Sequence, residues 1–129
     1  MATLKISDLS VGDWVQNDYG DYVKVAGIWQ GSNFNYHVDI HRNGVIGTIL
    51  PCSLHPIPIT AEILEKIGFE RLLERDLFYH SEAGLEVAFE DGEWMHTINL
   101  HEYTIHTISG LHHIQHLLRL YGCEKEINL

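Results

Sequence analysis

Two Xaa-Gly dipeptides constrain the fold of this chain most strongly. Asn43-Gly44 and Asp91-Gly92 each stand between segments in which apolar and polar residues alternate, as they do over residues 36–41 and 85–90. Such alternation puts the apolar side chains on one face of an extended strand. Asn-Gly and Asp-Gly supply the two positive-φ positions of the tightest hairpin turns. The sequence therefore predicts antiparallel hairpins with these dipeptides at their tips.

Residues that end strands and helices divide the rest of the chain into elements. Three prolines fall within residues 51–58, where they remove backbone donors and end the first sheet. Thr60 can then cap a short helix that Gly68 ends, and apolar residues recur at helical spacing over residues 111–121. The pattern predicts helices near residues 61–67 and 111–121.

Together these elements predict the α+β class, with antiparallel strands dominant. We expect one compact domain over residues 1–129, made of two lobes. Residues 1–57 would form a small barrel-like sheet, and residues 58–129 an α+β lobe in which a short helix and a hairpin sheet pack with the terminal helix.

The charge balance bears on partners and location. Eight basic and eighteen acidic residues give a net charge of −10, so no cationic field is present to attract a phosphate backbone irrespective of sequence. No apolar run approaches the roughly 18 residues of a membrane-spanning helix, and the first residues lack the pattern of a secretion signal. Cys52 and Cys123 are too isolated for a disulfide framework. We expect a soluble cytoplasmic protein that binds neither membrane nor nucleic acid nonspecifically.

Three segments carry a resemblance to other proteins: residues 8–15 (DLSVGDWV), residues 56–69 (PIPIT through GF) and residues 112–117 (HHIQHL). In this order they resemble a family of short uncharacterised proteins from Bacteroidetes, often carried in prophages or other mobile elements. The recurring positions of that family fall on Gly12, Pro56, Pro58, Gly68, Phe69, His112, Gln115 and Leu117. The resemblance implies a bacterial mobile-element context and supplies no activity. Similar sequences often have Glu or Gln in place of His113 and Asn in place of His116, so these extra histidines are individual to this chain.

Histidine is the one compositional outlier. The chain has ten, and six fall within 21 residues: His96, His101, His106, His112, His113 and His116. His112 and His116 share one face of the predicted helix at i and i+4, as the two histidine ligands of a zinc helix do. The zinc-protease pattern, however, places Glu directly after the first histidine, and here that residue is His113.

Two interpretations of this cluster stay open. In the first, His112 and Gln115 are structural and fasten the helix to a strand or loop. In the second, His112 and His116 bind zinc or another divalent metal in a small hydrolase, with a third ligand from His96, His101, His106 or Cys123. We favour the structural role and expect no cofactor.

The sequence contains no recognisable motif for nucleophilic catalysis or for nucleotide binding. Ser81, Ser109 and Cys52 lie in no setting that activates a hydroxyl or thiol, and the glycines are spaced like turns. We therefore assign no catalytic residue and favour a binding protein over an enzyme.

Aromatic residues in the first half provide the remaining clue. Trp14, Tyr22, Trp29 and Tyr36 are dense enough in the predicted sheet to line a ligand-binding groove, although we favour ordinary packing of a small barrel as their explanation. The leading hypothesis is a non-enzymatic binding or accessory protein of a mobile element or phage. One specific form is a counter-defence protein that binds a host protein or a small signalling ligand. The alternatives are the metal-dependent hydrolase and a structural protein that forms homo-oligomers.

Overall fold

The computed structural model describes residues 4–72, 76–99, 102–123 and 125–129. Within these residues the strands are β1 (Trp14–Gln16), β2 (Tyr22–Gln30), β3 (Tyr36–Arg42), β4 (Val45–Ile49), β5 (Glu70–Arg71), β6 (Leu77–His80), β7 (Leu85–Glu90), β8 (Glu93–Asn99) and β9 (Glu102–Thr107). The helices are α1 (Ala61–Lys66) and α2 (Leu111–Leu120), with 3-10 turns at Ile6–Asp8 and Pro51–Ser53. The chain divides into two compact units, Met1–Ile57 and Pro58–Leu129.

The N-terminal unit is built on one antiparallel sheet in the order β1-β2-β3-β4. Its core is aliphatic and buries Val15, Val23, Val25, Val38 and Leu54. Full burial of such side chains stabilises the fold by about 1.5–3 kcal/mol each. The inner face of this sheet therefore supplies the driving force for folding the unit.

The N-terminal sheet is open, which corrects the barrel-like form expected from the sequence. Its two edge strands, β1 and β4, do not pair with each other. The other side of β1 pairs instead with His55, which lies in the proline-rich segment 51–58. The N–H of Gln16 donates to the carbonyl of His55 at 3.0 Å, and the N–H of His55 donates to the carbonyl of Gln16 at 2.8 Å. Because β1 has only three residues, this exchange occupies its outer edge.

The two predicted hairpin tips are confirmed. Asn43 and Gly44 have φ values of 50° and 82° between β3 and β4. Asp91 and Gly92 have values of 51° and 79° between β7 and β8. Both pairs have the positive φ angles that this turn chemistry favours.

The C-terminal unit combines a five-stranded antiparallel sheet, in the order β5-β6-β7-β8-β9, with both helices. Its core joins helical and strand side chains, among them Leu64, Phe78, Val87, Ile114 and Leu118. The α+β class and both helix positions are thus confirmed. No helix in the described ranges is long and apolar enough to cross a membrane.

Candidate functional site

A β-bulge in β2 determines what the outer face of the N-terminal sheet presents. Val25 lies opposite Ile40 and Gly27 lies opposite Asp39, so two steps along β2 match one step along β3. Ala26 is the extra residue. A bulge of this kind reverses which face the following side chains occupy.

Trp29 reaches the outer face because of this bulge. Strict alternation would put Trp29 on the same side as Val23 and Val25, which are buried at 0% and 1% exposure. After the extra residue, Trp29 instead lies opposite His37, two cross-strand pairs beyond the Gly27–Asp39 pair and therefore on the same face. Its side chain is 44% exposed.

Four side chains then form a connected group on β2, β3 and β4, which we call the Trp29–Asp39 site: Trp29, His37, Asp39 and Thr48. The rings of Trp29 and His37 stack with centroids 4.3 Å apart and planes 17° apart. Trp29 Nε1 donates to Asp39 Oδ1 at 3.1 Å, and Thr48 Oγ1 donates to the same oxygen at 2.8 Å. The indole and the carboxylate therefore fix one another.

The carboxylate of Asp39 is held in its ionised form. Hydrogen bonds from Trp29 and then Thr48 lower its pKa, and the electrostatic interaction with His37 adds a smaller effect in the same direction. Partial desolvation opposes them. At neutral pH this group is consequently an anion with one oxygen already engaged.

The second oxygen of Asp39 faces the space above Gly27. A Cβ atom on Gly27 would lie 3.4 Å from Oδ2, so the glycine leaves that oxygen uncrowded. Among the described residues, no side chain or backbone group donates to Oδ2. This oxygen is therefore directed to accept a donor from outside the chain.

Three of the four aromatic residues predicted to bind a ligand share this outer face. Trp14 lies opposite Lys24, whose ammonium is 6.0 Å from the indole centroid. Tyr22, two residues before Lys24 on β2, is 44% exposed. Tyr36 lies instead on the face of Val38, since the two are separated by one residue of β3.

Asp39 and Thr48 were not among the site residues predicted from the sequence. The alternation of β3 already groups Asp39 with His37, which was the available signal. Thr48 joins them only through the register of β3 with β4, which places it directly opposite Asp39. That register follows from the Asn43-Gly44 turn.

The histidines of α2 lie in the C-terminal unit. His112 and Gln115 are 2% and 5% exposed. The rings of His112 and His116 are 6.0 Å apart and nearly perpendicular, at 84°. His112 and Gln115 thus lie on the buried side of α2, while His116 is half-buried.

Two of the remaining candidates for a third metal ligand, His96 and Cys123, have different neighbours. The ring of His96, on β8, meets that of His113 edge-on at 5.8 Å, and the thiol of Cys123 lies 3.9 Å from Glu82 Oε2. His101 and the side chain of His106 lie outside the described residues. Within the part of the chain that is described, no group of three or more His, Cys, Asp or Glu side chains is arranged to hold a metal ion.

Comparison with known proteins gives no match to a family model, a curated protein or a solved structure. Function is therefore inferred from the geometry of the site.

Proposed function

We propose that the protein is a non-enzymatic binding protein that captures a cationic group of a partner, an arginine or lysine side chain of another protein, at the Trp29–Asp39 site. The observation that carries this proposal is the Asp39 carboxylate, with Oδ1 fixed by Trp29 and Thr48 and Oδ2 open beside a half-exposed indole. The resemblance to mobile-element proteins suggests the setting: an accessory protein of a phage or mobile element whose target is a host protein.

The chemistry of the site favours a cation over other ligands. A guanidinium or ammonium group can donate to Asp39 Oδ2 in a charge-assisted hydrogen bond while it contacts the indole of Trp29. An exposed cation–π contact contributes about 0.5–1 kcal/mol. The net charge of −10 adds long-range attraction for a cationic partner, which raises the association rate at low salt.

The same features argue for binding rather than catalysis. A general acid or base works best when its pKa lies near the working pH. The pKa of Asp39 is displaced downward, away from neutrality. Its role in the proposal is therefore that of a fixed negative charge.

The test is a titration of the full-length protein with hexa-arginine, followed by the indole N–H resonances in a 1H–15N correlation spectrum. We expect the Trp29 resonance to shift and hexa-glutamate to leave it unchanged. Asp39→Asn should weaken binding about tenfold or more. The matched control is Asp8→Asn, which makes the same charge change on an exposed residue in the first 3-10 turn and should alter binding less than about twofold.

Two results would contradict the proposal. If Asp8→Asn weakened binding as much as Asp39→Asn, the attraction would be a property of the net charge and not of the site. If hexa-arginine bound without moving the Trp29 resonance, the cation would be held elsewhere.

A second candidate function, self-association, is favoured by β4. This edge strand carries Val45 and Ile46 at 68% and 64% exposure, and residues 43–61 contain no Asp, Glu, Lys or Arg. Uncharged, exposed edges pair readily with other strands. Two copies of β4 paired antiparallel about Gly47 would place Val45 opposite Ile49.

Sedimentation velocity tests this candidate. A dimer that Ile46→Lys dissociates and Val11→Lys leaves intact would support it, since Val11 is a comparably exposed apolar residue, at 60%, outside the sheet. A monomer at all concentrations, or equal effects of both variants, would reject it.

A further inference from the structure

A cavity of about 320 Å³ in the C-terminal unit is independent of the Trp29–Asp39 site. It lies where the end of α1, strand β6 and the C-terminal segment meet. Its walls include Lys66, Gly68, His80, Leu118, Cys123 and Ile127. The volume is at the lower end of the range of small-molecule pockets, roughly 300–1,000 Å³.

His80 is the buried polar side chain of this cavity, at 5% exposure. Its Nδ1 accepts a hydrogen bond from the backbone N–H of Ala83 at 3.2 Å. A ring nitrogen that accepts carries no proton, so the neutral imidazole has its proton on Nε2. The edge of the ring also meets Phe69 with centroids 5.1 Å apart, which fixes its orientation.

The protonated nitrogen is on the cavity side of the ring. Nε2 lies 3.2 Å from the point where a Cβ atom on Gly68 would stand, and Gly68 lines the cavity. Gly68 has φ +105°, which also favours glycine at the end of α1. Among the described residues, nothing accepts a hydrogen bond from Nε2. Burial lowers the pKa of His80, so the ring stays a neutral donor at pH 7.

The other walls combine positive charge with apolar surface. Two ammonium groups, of Lys66 and Lys125, and one carboxylate, that of Glu126, line the cavity. Lys125 forms an ion pair with Glu82, and Lys66 is the further cation of the lining. Ile67, Leu118 and Ile127 contribute apolar surface.

We propose that this cavity binds a small monocarboxylate with a short apolar chain. Its carboxylate accepts the hydrogen bond of His80 Nε2 and is attracted by Lys66. Its apolar chain packs against Ile67, Leu118 and Ile127.

Cys123 does not make this cavity a thiol active site. Its thiol donates to the Glu82 carboxylate at 3.9 Å, so it is already engaged within the chain. The neutral His80 ring, with Nδ1 engaged and Nε2 protonated, has no free nitrogen to remove a proton from the thiol. Because Cys123 lines the cavity, its rate of alkylation can instead report whether the cavity is occupied.

The test uses hexanoate as the probe on the full chain, in a buffer free of other carboxylates. Long-range 1H–15N spectra of the imidazoles should show the His80 Nε2 resonance shifting, and hexanoate should slow alkylation of Cys123 by iodoacetamide. Hexanol, which has the same chain without the carboxylate, should bind at least about tenfold more weakly.

Variants then locate the site. His80→Phe keeps a ring to pack on Phe69 and removes the donor, so hexanoate binding should fall about tenfold or more. Lys66→Met, a change at an exposed position of α1, should weaken binding severalfold without affecting folding, so it serves even if His80→Phe is destabilised. The control His41→Phe, at an exposed histidine of the N-terminal unit, should leave binding unchanged. The proposal is overturned if hexanoate does not bind, if it binds without moving the His80 resonance, or if Lys66→Met binds it as tightly as the unmodified chain.

Discussion

Gly44 and Gly47 lie three residues apart on the same hairpin, yet only Gly44 adopts the left-handed backbone conformation, with φ +82°. A Cβ atom on either glycine would meet nothing within 4 Å. The two positions therefore differ in backbone conformation and not in available space. They form a matched pair for measuring what the Asn43-Gly44 turn contributes to stability.

Gly44→Ala is expected to lower the free energy of unfolding by about 1–2 kcal/mol, the usual cost of a left-handed conformation for an L-residue. Gly47→Ala should be neutral or raise it by up to about 1 kcal/mol, because alanine restricts the unfolded chain more than glycine does. Urea unfolding of both variants checks this. Equal losses would show that the φ angle of Gly44 is not what favours glycine there.

The cap of α1 is expected to make a similar contribution. Thr60 Oγ1 accepts a hydrogen bond from the backbone N–H of Ile63 at 3.2 Å. Thr60→Ala should therefore lower the free energy of unfolding by about 1 kcal/mol, while Thr60→Ser retains the oxygen and should change it little. If the two variants unfolded at the same urea concentration, the hydroxyl would have no capping role.

The structural and metal-binding interpretations of α2 make opposite predictions. His112 is 2% exposed, so His112→Ala should lower the free energy of unfolding by about 1–3 kcal/mol through lost buried polar contacts. His116→Ala, at a half-buried position, should cost less. Thermal melts with and without a chelator decide between them: a chelator that destabilises the unmodified chain but not the two variants would support the metal site.

Acid should destabilise the C-terminal unit through His80. Burial is the main cause that lowers the pKa of this imidazole below its ordinary value of 6.5, with a smaller contribution from Lys125 and an opposing one from Glu82. Below about pH 6.5 the unfolded chain therefore takes up a proton at this position more readily than the folded chain, and the free energy of unfolding falls as the pH drops.

The measurement is urea unfolding of the unmodified chain and of His80→Phe between pH 7.5 and 5.5. The difference in stability between the two should shift in favour of the variant as the pH falls. Carboxylates with lowered pKa, such as Glu82, lose their stabilising charge only at lower pH and do not disturb this window. If the stabilities of the unmodified chain and of His80→Phe changed with pH in parallel, His80 would not be the source of the acid sensitivity.

Local chemistry predicted much of this fold, since positive-φ dipeptides and helix caps act within a few residues. The open form of the N-terminal sheet was not predictable in this way, because it depends on Gln16 pairing with His55, far along the chain. Strands β5 and β6 were not predicted from the sequence because both are short: β5 has two residues, Glu70 and Arg71, and β6 has four. Alternation over so few residues is not distinguishable from a loop.

The candidate site was predicted only in part, for a related reason. The aromatic residues identified the outer face, but Asp39 and Thr48 enter the site through a register that is set across three strands. A glycine next to the extra residue is a known accompaniment of bulges, so Gly27 was a weak signal for the irregularity of β2. The apolar–polar alternation of the sequence alone does not reveal the bulge in β2.

The bulge at Ala26 also makes the outer face depend on one residue that has no cross-strand partner. Val25 lies opposite Ile40 and Gly27 lies opposite Asp39, so deleting Ala26 would remove the bulge and still leave Trp29 opposite His37. If the chain kept Ala26 but paired it with Asp39, Trp29 would turn toward the interior and Ile28 toward solvent. In evolutionary terms, the outer face tolerates loss of this codon, whereas a shift of the bulge to a position beyond Trp29 would change binding specificity in one step without changing any side chain of the site.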